Sequence, residues 1–272
     1  MIAKSHREKD AIIVLSVATN VYLDYWKQLV LSADKVTESA DKVCFWIFTD
    51  KANEAKDFAE VLFNVSINVF EIPPYGWPEA TILRYEIFSK RVNEAVAGIL
   101  MYLDADMLIE ANPWDLVRKS LKNSDVCLVE HPGYWRPKRF KFFLNYLQNP
   151  RMVLSDSRSY VAYGGRGKWE RRSKSSAYVQ RSLRKKYYCG GIWFGRPKQI
   201  IEMINELASN VASDRKNGII AVWHDESHLN QWAVRNKHNS ESPILCYDET
   251  YPQLSNLYPL IYAVRKNGLE NR

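Results

Sequence analysis

Two short strings hold residues whose types and spacing could do chemistry. In "GILMYLDADMLI", residues 98–109, an apolar run ends on two carboxylates, Asp104 and Asp106, separated only by Ala105. If the backbone there is extended, residues two apart point to one side, and both carboxylates can face a common divalent cation. All-oxygen ligation of this kind suits Mn²⁺ or Mg²⁺, which fill the rest of their shells with water and substrate phosphates. The plainer alternative is a solvated turn after an edge strand; the buried strand that precedes the acids argues against it. In "VWHDESHLNQW", residues 222–232, acids and amides lie between tryptophans. As a helix this string would bring Asp225, His228 and Trp232 near one another and set Glu226 beside Asn230. His224 and His228 are spaced as in zinc proteases, but the glutamate that motif needs after the first histidine is Asp225 here. Acid beside indole suits a sugar, whose C–H faces rest on flat rings.

Elements able to position these groups are legible around them. Strand-like runs such as "AIIVLSVA", "VCFWIFTD", "INVFEIP" and "GILMYLDAD" alternate with helical stretches at about 22–34, 55–62 and 80–96. That alternation predicts right-handed βαβ units and a mostly parallel sheet, whose ligands collect at the carboxyl ends of the strands. Asp50, Asp104 and Asp106 all fall at such ends. A further strand, "YYCGGIWFG", and a helix at about 198–213 follow. Between them and the first half lies a basic stretch without period, read as an insertion or lid over about 134–168.

Composition bounds the rest. The chain has 272 residues, 46% of them hydrophobic and 13% aromatic, enough for one large α/β domain with a substantial core. No apolar run approaches the roughly 20 residues of a membrane-spanning helix, and the opening "MIAKSHREKD" lacks a secretory signal, so a soluble, cytoplasmic protein is expected. Cys44, Cys127, Cys189 and Cys246 form no Cys-x-x-Cys pair and read as small buried hydrophobes in a reducing compartment. The net charge of +7 asks for an anionic partner, either nucleic acid or a phosphate-bearing small substrate.

Beyond these readings the chain resembles the family 6 glycosyltransferases, the group of the ABO transferases and α-1,3-galactosyltransferase. The resemblance is carried by "HPGYW" at His131, "WERRSKSSAYV" at Trp169, "YYCGGIWFG" at Tyr187, "NGIIAVWHDESHLN" at Asn217 and "VRKNGLENR" near the end. It implies an α/β GT-A fold with a mixed central sheet that moves N-acetylgalactosamine or galactose from a UDP-sugar to a galactose-containing glycan acceptor. Retention and an α-1,3 bond are implied with it. By matching motif, Asp104 and Asp106 become the metal pair and Glu226 the candidate nucleophile. The donor would meet Ser16, Val17, Ala18, Tyr22, Arg84, Ala105, Cys189, Gly190, Gly191 and Asp225. Lys266 and Arg272 would close over the diphosphate from a mobile tail at about 264–272. The acceptor would meet His131, Trp223 and Glu226. The pair Gly190 and Gly191 implies N-acetylgalactosamine as the better donor, since a glycine at position 191 leaves room for the acetamido group.

Rival readings are a family 8-like retaining transferase using UDP-glucose or UDP-galactose, a nucleic-acid-binding protein that would explain the charge alone, and a sugar-binding relative without turnover. Whether a covalent glycosyl-enzyme forms, or the acceptor attacks from the face that UDP leaves, stays open from sequence.

Overall fold

The structure, a computed structural model, describes residues 11–136 and 167–264. Its centre is a seven-stranded sheet in the order β3-β2-β1-β4-β7-β6-β8. The strands are β1 (Ile12–Val17), β2 (Val43–Thr49), β3 (Val65–Glu71), β4 (Ile99–Leu103), β6 (Val126–Glu130), β7 (Tyr188–Gly195) and β8 (Asn239–Glu241). β3, β2, β1 and β4 are parallel, and β8 is parallel to β6. β7 alone runs against both its neighbours, β4 and β6. The expected mostly parallel, mixed sheet is therefore present. The direction of β7 is not encoded in an apolar run, because a strand buried on both faces reads the same whichever way it enters.

Helices cover both faces. One layer holds α1 (Tyr22–Val36), α2 (Ala52–Phe58) and α5 (Trp114–Ser120). Trp26, Leu29, Val30 and Trp114 of this layer pack on Ile12, Val14, Phe45 and Ile47. The other layer holds α3 (Glu79–Ile82), α4 (Arg84–Ser89), α6 (Pro197–Lys216) and α7 (His224–Ala233). Here Tyr85, Phe88, Ile204 and Leu207 pack on Leu15, Phe48, Tyr102 and Trp193. This two-sided burial is what an uninterrupted strand such as "ILMYL" requires. A short antiparallel pair, β5 (Met107–Ile109) with β9 (Ile261–Ala263), sits outside the main sheet.

Two expectations change. The helix read over 80–96 is bent at Leu83 (φ −89°, ψ −2°) into α3 and α4, although the hydrogen bonds Leu83 N–H to Glu79 C=O and Ile87 N–H to Leu83 C=O carry across the bend. Most of the basic insertion and the tail after Val264 lie outside the described residues, as do Lys266 and Arg272. Among the described residues no helix is long and apolar enough to cross a membrane.

Candidate active site

The carboxyl ends of β1 and β4 and the start of the reversed β7 meet at one end of the central strands, and the buried cation there is Arg84, the first residue of α4. Its Nη1 lies 3.1 Å from Asp104 Oδ1 and 3.2 Å from Asp225 Oδ2, and it donates to the Gly190 carbonyl at 3.3 Å. The guanidinium stands over the Tyr102 ring, 4.6 Å from its centroid. The Tyr102 hydroxyl in turn donates to Asp104 Oδ1. Arg84 thus joins three separate segments, and the two acids it faces hold its pKa well above the ordinary value against the effect of burial.

The other acid comes from α7. His224 begins that helix with a positive φ of 43°, a conformation costly for a side chain of this size. The Trp223 N–H donates to Ser227 Oγ at 2.9 Å, fixing the first turn. Asp225 and Glu226 follow and point back to β7. Glu226 Oε2 accepts the Gly190 N–H at 2.8 Å. Burial pushes Glu226 up to about 7; the Gly190 amide and the Tyr187 hydroxyl pull it down, and Asp104 adds to the rise. Burial also pushes Asp225 up to about 7, with Arg84 opposing and Asp104 and Glu226 reinforcing. Asn230, one turn on, accepts the Tyr188 N–H at 2.8 Å and donates to the carbonyls of Tyr188 and Glu226, both at 2.9 Å. It ties α7 to the first residue of β7.

At both positions between these acids an added side chain would collide with a neighbour, which would have to move. A Cβ on Gly190 would stand 2.9 Å from Glu226 Cβ. One on Gly191 would stand 2.6 Å from Asp104 Oδ2 and 2.8 Å from Met107 Cε. A methyl group at position 191 would thus meet Asp104 and Met107.

Several expectations about individual residues are corrected. β4 ends at Leu103, so Asp104 follows the strand and Ala105 and Asp106 form a turn; the argument from alternating sides of extended backbone does not apply to them. The Asp106 carbonyl accepts the Val264 N–H at 2.8 Å, joining this turn to the end of β9. Ser16 is wholly buried and donates to the Leu103 carbonyl at 2.9 Å, and Ala18 is also buried, so their side chains face the protein interior. Val17 and Tyr22 keep partly exposed surface near the same end. His228 is paired with a different acid: it is buried, with Nε2 3.8 Å from Asp214 Oδ2. Burial lowers its pKa to about 4, leaving it neutral. Trp232 packs in the core and is no sugar platform. No cluster of three metal-ligating side chains occurs among the described residues.

On the flank of Glu226, His131 is ringed by Tyr134, Tyr187 and Tyr251. Its Nδ1 accepts the Gly133 N–H at 3.0 Å, and burial lowers its pKa to about 4, so the neutral ring carries its proton on Nε2. Trp223 is 41% exposed, and Lys168 Nζ lies 4.4 Å from its ring centroid. The buried Glu170 accepts the Val222 N–H at 2.9 Å and holds Arg172, fixing the approach to α7. Sequence reading missed Tyr102, Tyr187, Glu170 and the stapling role of Asn230. Tyrosines inside apolar runs look like core, and only the folded chain shows that Tyr102 faces Asp104 and Tyr187 faces Glu226.

A mixed sheet with acids and a buried arginine at the strand ends is the frame of a GT-A-type glycosyltransferase. The family model described as glycosyltransferase family 6 matches residues 156–271. Rat glycosyltransferase 6 domain-containing protein 1 is 32% identical over 244 residues, 88% of this chain and 67% of that protein. Globoside alpha-1,3-N-acetylgalactosaminyltransferase 1 of Gallus gallus is 25% identical over 265 residues, 95% of this chain and 68% of that protein. The O-antigen biosynthesis glycosyltransferase WbnI of Escherichia coli is 24% identical over 242 residues, 88% of this chain and 89% of that protein. The chain belongs to glycosyltransferase family 6, which sets aside the family 8 reading. It spans about half to two thirds of the length of the animal globoside transferases that it matches.

Proposed function

We propose that this chain transfers N-acetylgalactosamine, or galactose, from a UDP-sugar to a galactose-containing glycan with retention, forming an α-1,3 bond. The observation that carries the reading is Glu226, fixed through the Gly190 amide beside the Asp225–Arg84–Asp104 knot. Retention needs negative charge on the sugar face opposite the leaving group, where an oxocarbenium-like centre develops. Glu226 is assigned that task, and Asp225 that of orienting the donor sugar. The names of the relatives support the linkage and the choice of N-acetylgalactosamine.

Asp104 and Asp106 supply carboxylate oxygens, the ligand type that Mn²⁺ and Mg²⁺ prefer, and a Cβ on Gly191 would crowd Asp104 Oδ2 at 2.6 Å, so the glycine lets that oxygen keep its place. The donor set fits such an ion. When bound, it would supply Lewis-acid stabilisation of the diphosphate leaving group. Val17 and Tyr22 are assigned to the uridine, with Ser16, Ala18 and Ala105 as the backbone beneath it and Cys189 with Gly190 and Gly191 as the floor. Lys266 and Arg272 are assigned to the diphosphate, and His131 and Trp223 to the acceptor.

A UDP-release assay over a panel of UDP-sugars, with Mn²⁺, Mg²⁺ or EDTA, tests the reading. UDP-N-acetylgalactosamine should be hydrolysed slowly alone and faster with a galactoside acceptor, and EDTA should stop both. The product's anomeric proton by NMR should report the α configuration. Release from none of the UDP-sugars, or a β product, overturns the reading.

A further inference from the structure

Cys189 and Cys246 come from segments far apart in the chain, yet their sulfurs lie 2.9 Å apart. Cys189 is the second residue of β7; Cys246 follows the short 3-10 turn Pro243–Leu245. Both are buried, and the Gly191 N–H also donates to Cys189 Sγ at 3.4 Å. Cys44 and Cys127 have no such cysteine partner. Chance packing of two small hydrophobes does not demand this approach, because non-bonded carbon neighbours in a core rest at about 3.5–4.0 Å and sulfur is the larger atom.

We infer that Cys189 and Cys246 form a redox pair that closes to a disulfide in the folded protein and that closure slows sugar transfer. The oxidant is a low-molecular-weight disulfide of the glutathione type. One protein thiol, as thiolate, attacks it and releases one thiol; the second attacks the resulting mixed disulfide and releases another. Two protein S–H bonds are lost and one S–S bond forms, while the oxidant's S–S bond is broken and two small thiols carry away the protons. Sharing with Cys246 and burial both disfavour the Cys189 thiolate, so the reaction needs hours and local opening rather than seconds.

The effect on catalysis follows from position, and this half rests on the proposed function. A disulfide holds its sulfurs at about 2.05 Å, so closure draws the segments together by several tenths of an ångström. Cys189 adjoins Gly190, whose N–H anchors Glu226 and whose carbonyl accepts from Arg84. A reacting site tolerates about 0.5 Å of such movement.

The test incubates the full native chain with oxidised glutathione, alkylates the remaining thiols and digests it for mass spectrometry, in parallel with UDP-release measurements. A linked Cys189–Cys246 peptide is expected, with turnover lowered about tenfold or more and restored by dithiothreitol. Cys246→Ser should turn over near the wild-type rate when reduced and should not respond to the oxidant. Absence of the linked peptide after prolonged oxidation overturns the proposal, as does equal inhibition of Cys246→Ser or full activity of the linked form. A reduced protein that releases no UDP at all overturns the functional reading, and is told apart because the cross-link is scored by mass alone.

Discussion

Gly191 and Asp104 face each other so closely that a methyl group on the glycine would stand 2.6 Å from Asp104 Oδ2. No real Cβ sits at that distance from a carboxylate oxygen, so either the acid or β7 must give way. Gly191→Ala is therefore expected to lower turnover with both UDP-N-acetylgalactosamine and UDP-galactose, by up to about 10²-fold for a 1 Å displacement, and to raise the Mn²⁺ concentration needed. Steady-state rates with each donor across a Mn²⁺ titration check this. Retained UDP-galactose activity with loss of the other donor would show that volume at the sugar, rather than the acid, is what the methyl perturbs.

Arg84 is the only described cation within ion-pair distance of either Asp104 or Asp225. Arg84→Met keeps much of the side-chain volume but leaves the buried Asp225, and the partly exposed Asp104, without their counter-charge. A loss of about 3–5 kcal/mol is expected on removing one partner of a buried pair, read from urea unfolding with unchanged slope. A loss below about 1 kcal/mol, the range of exposed pairs, would mean that the knot carries no stability.

Burial raises Asp225 and Glu226 to about 7, each reinforced by neighbouring acid. The two interact, so the pair titrates together. Turnover that needs their negative charge should rise with pH through about 7 and level off above it. Stability should move the opposite way. Between the ordinary carboxylate range and about 7 the folded protein keeps protons that the unfolded chain has released, so this contribution is full below that range and is lost as pH rises through about 7. A rate profile and a set of denaturation midpoints over the same buffers test both signs; parallel rather than opposed trends would reject the assignment.

Much of this arrangement is legible in sequence, and the exceptions have physical causes. Apolar periodicity marks β1, β2, β4 and β7 because each is buried on both faces, and it marks α1 and α6 because each shows one face to the sheet. It does not report that β7 enters reversed, nor that the turn at Ala105 and Asp106 replaces a strand. The acids Asp104, Asp225 and Glu226 stand out as charge beside apolar runs. Arg84 looks from its spacing like an ordinary helical arginine, and only the family resemblance singles it out. Tyr102 and Tyr187 are hidden because an aromatic in a core-like string gives no sign that its hydroxyl faces an acid.

Glu226→Gln preserves the acceptor oxygen for the Gly190 amide while removing the charge. Turnover is expected to fall by about 10²-fold or more with UDP affinity by calorimetry near wild type. A weaker UDP complex at unchanged turnover would make Glu226 a binding residue instead.

The reversed β7 has a consequence for how the chain is made. It slots between β4 and β6, and both leave the ribosome before it, with residues 131–187 still to be synthesised. At about 5–20 residues per second that stretch takes on the order of several seconds, during which the wholly apolar β4 has one open edge, the kind that recruits a wrong partner. The strand that closes that edge also carries Gly190 and Gly191. A nascent chain paused within 131–187 thus has that edge open and lacks the strand whose Gly190 amide will later anchor Glu226.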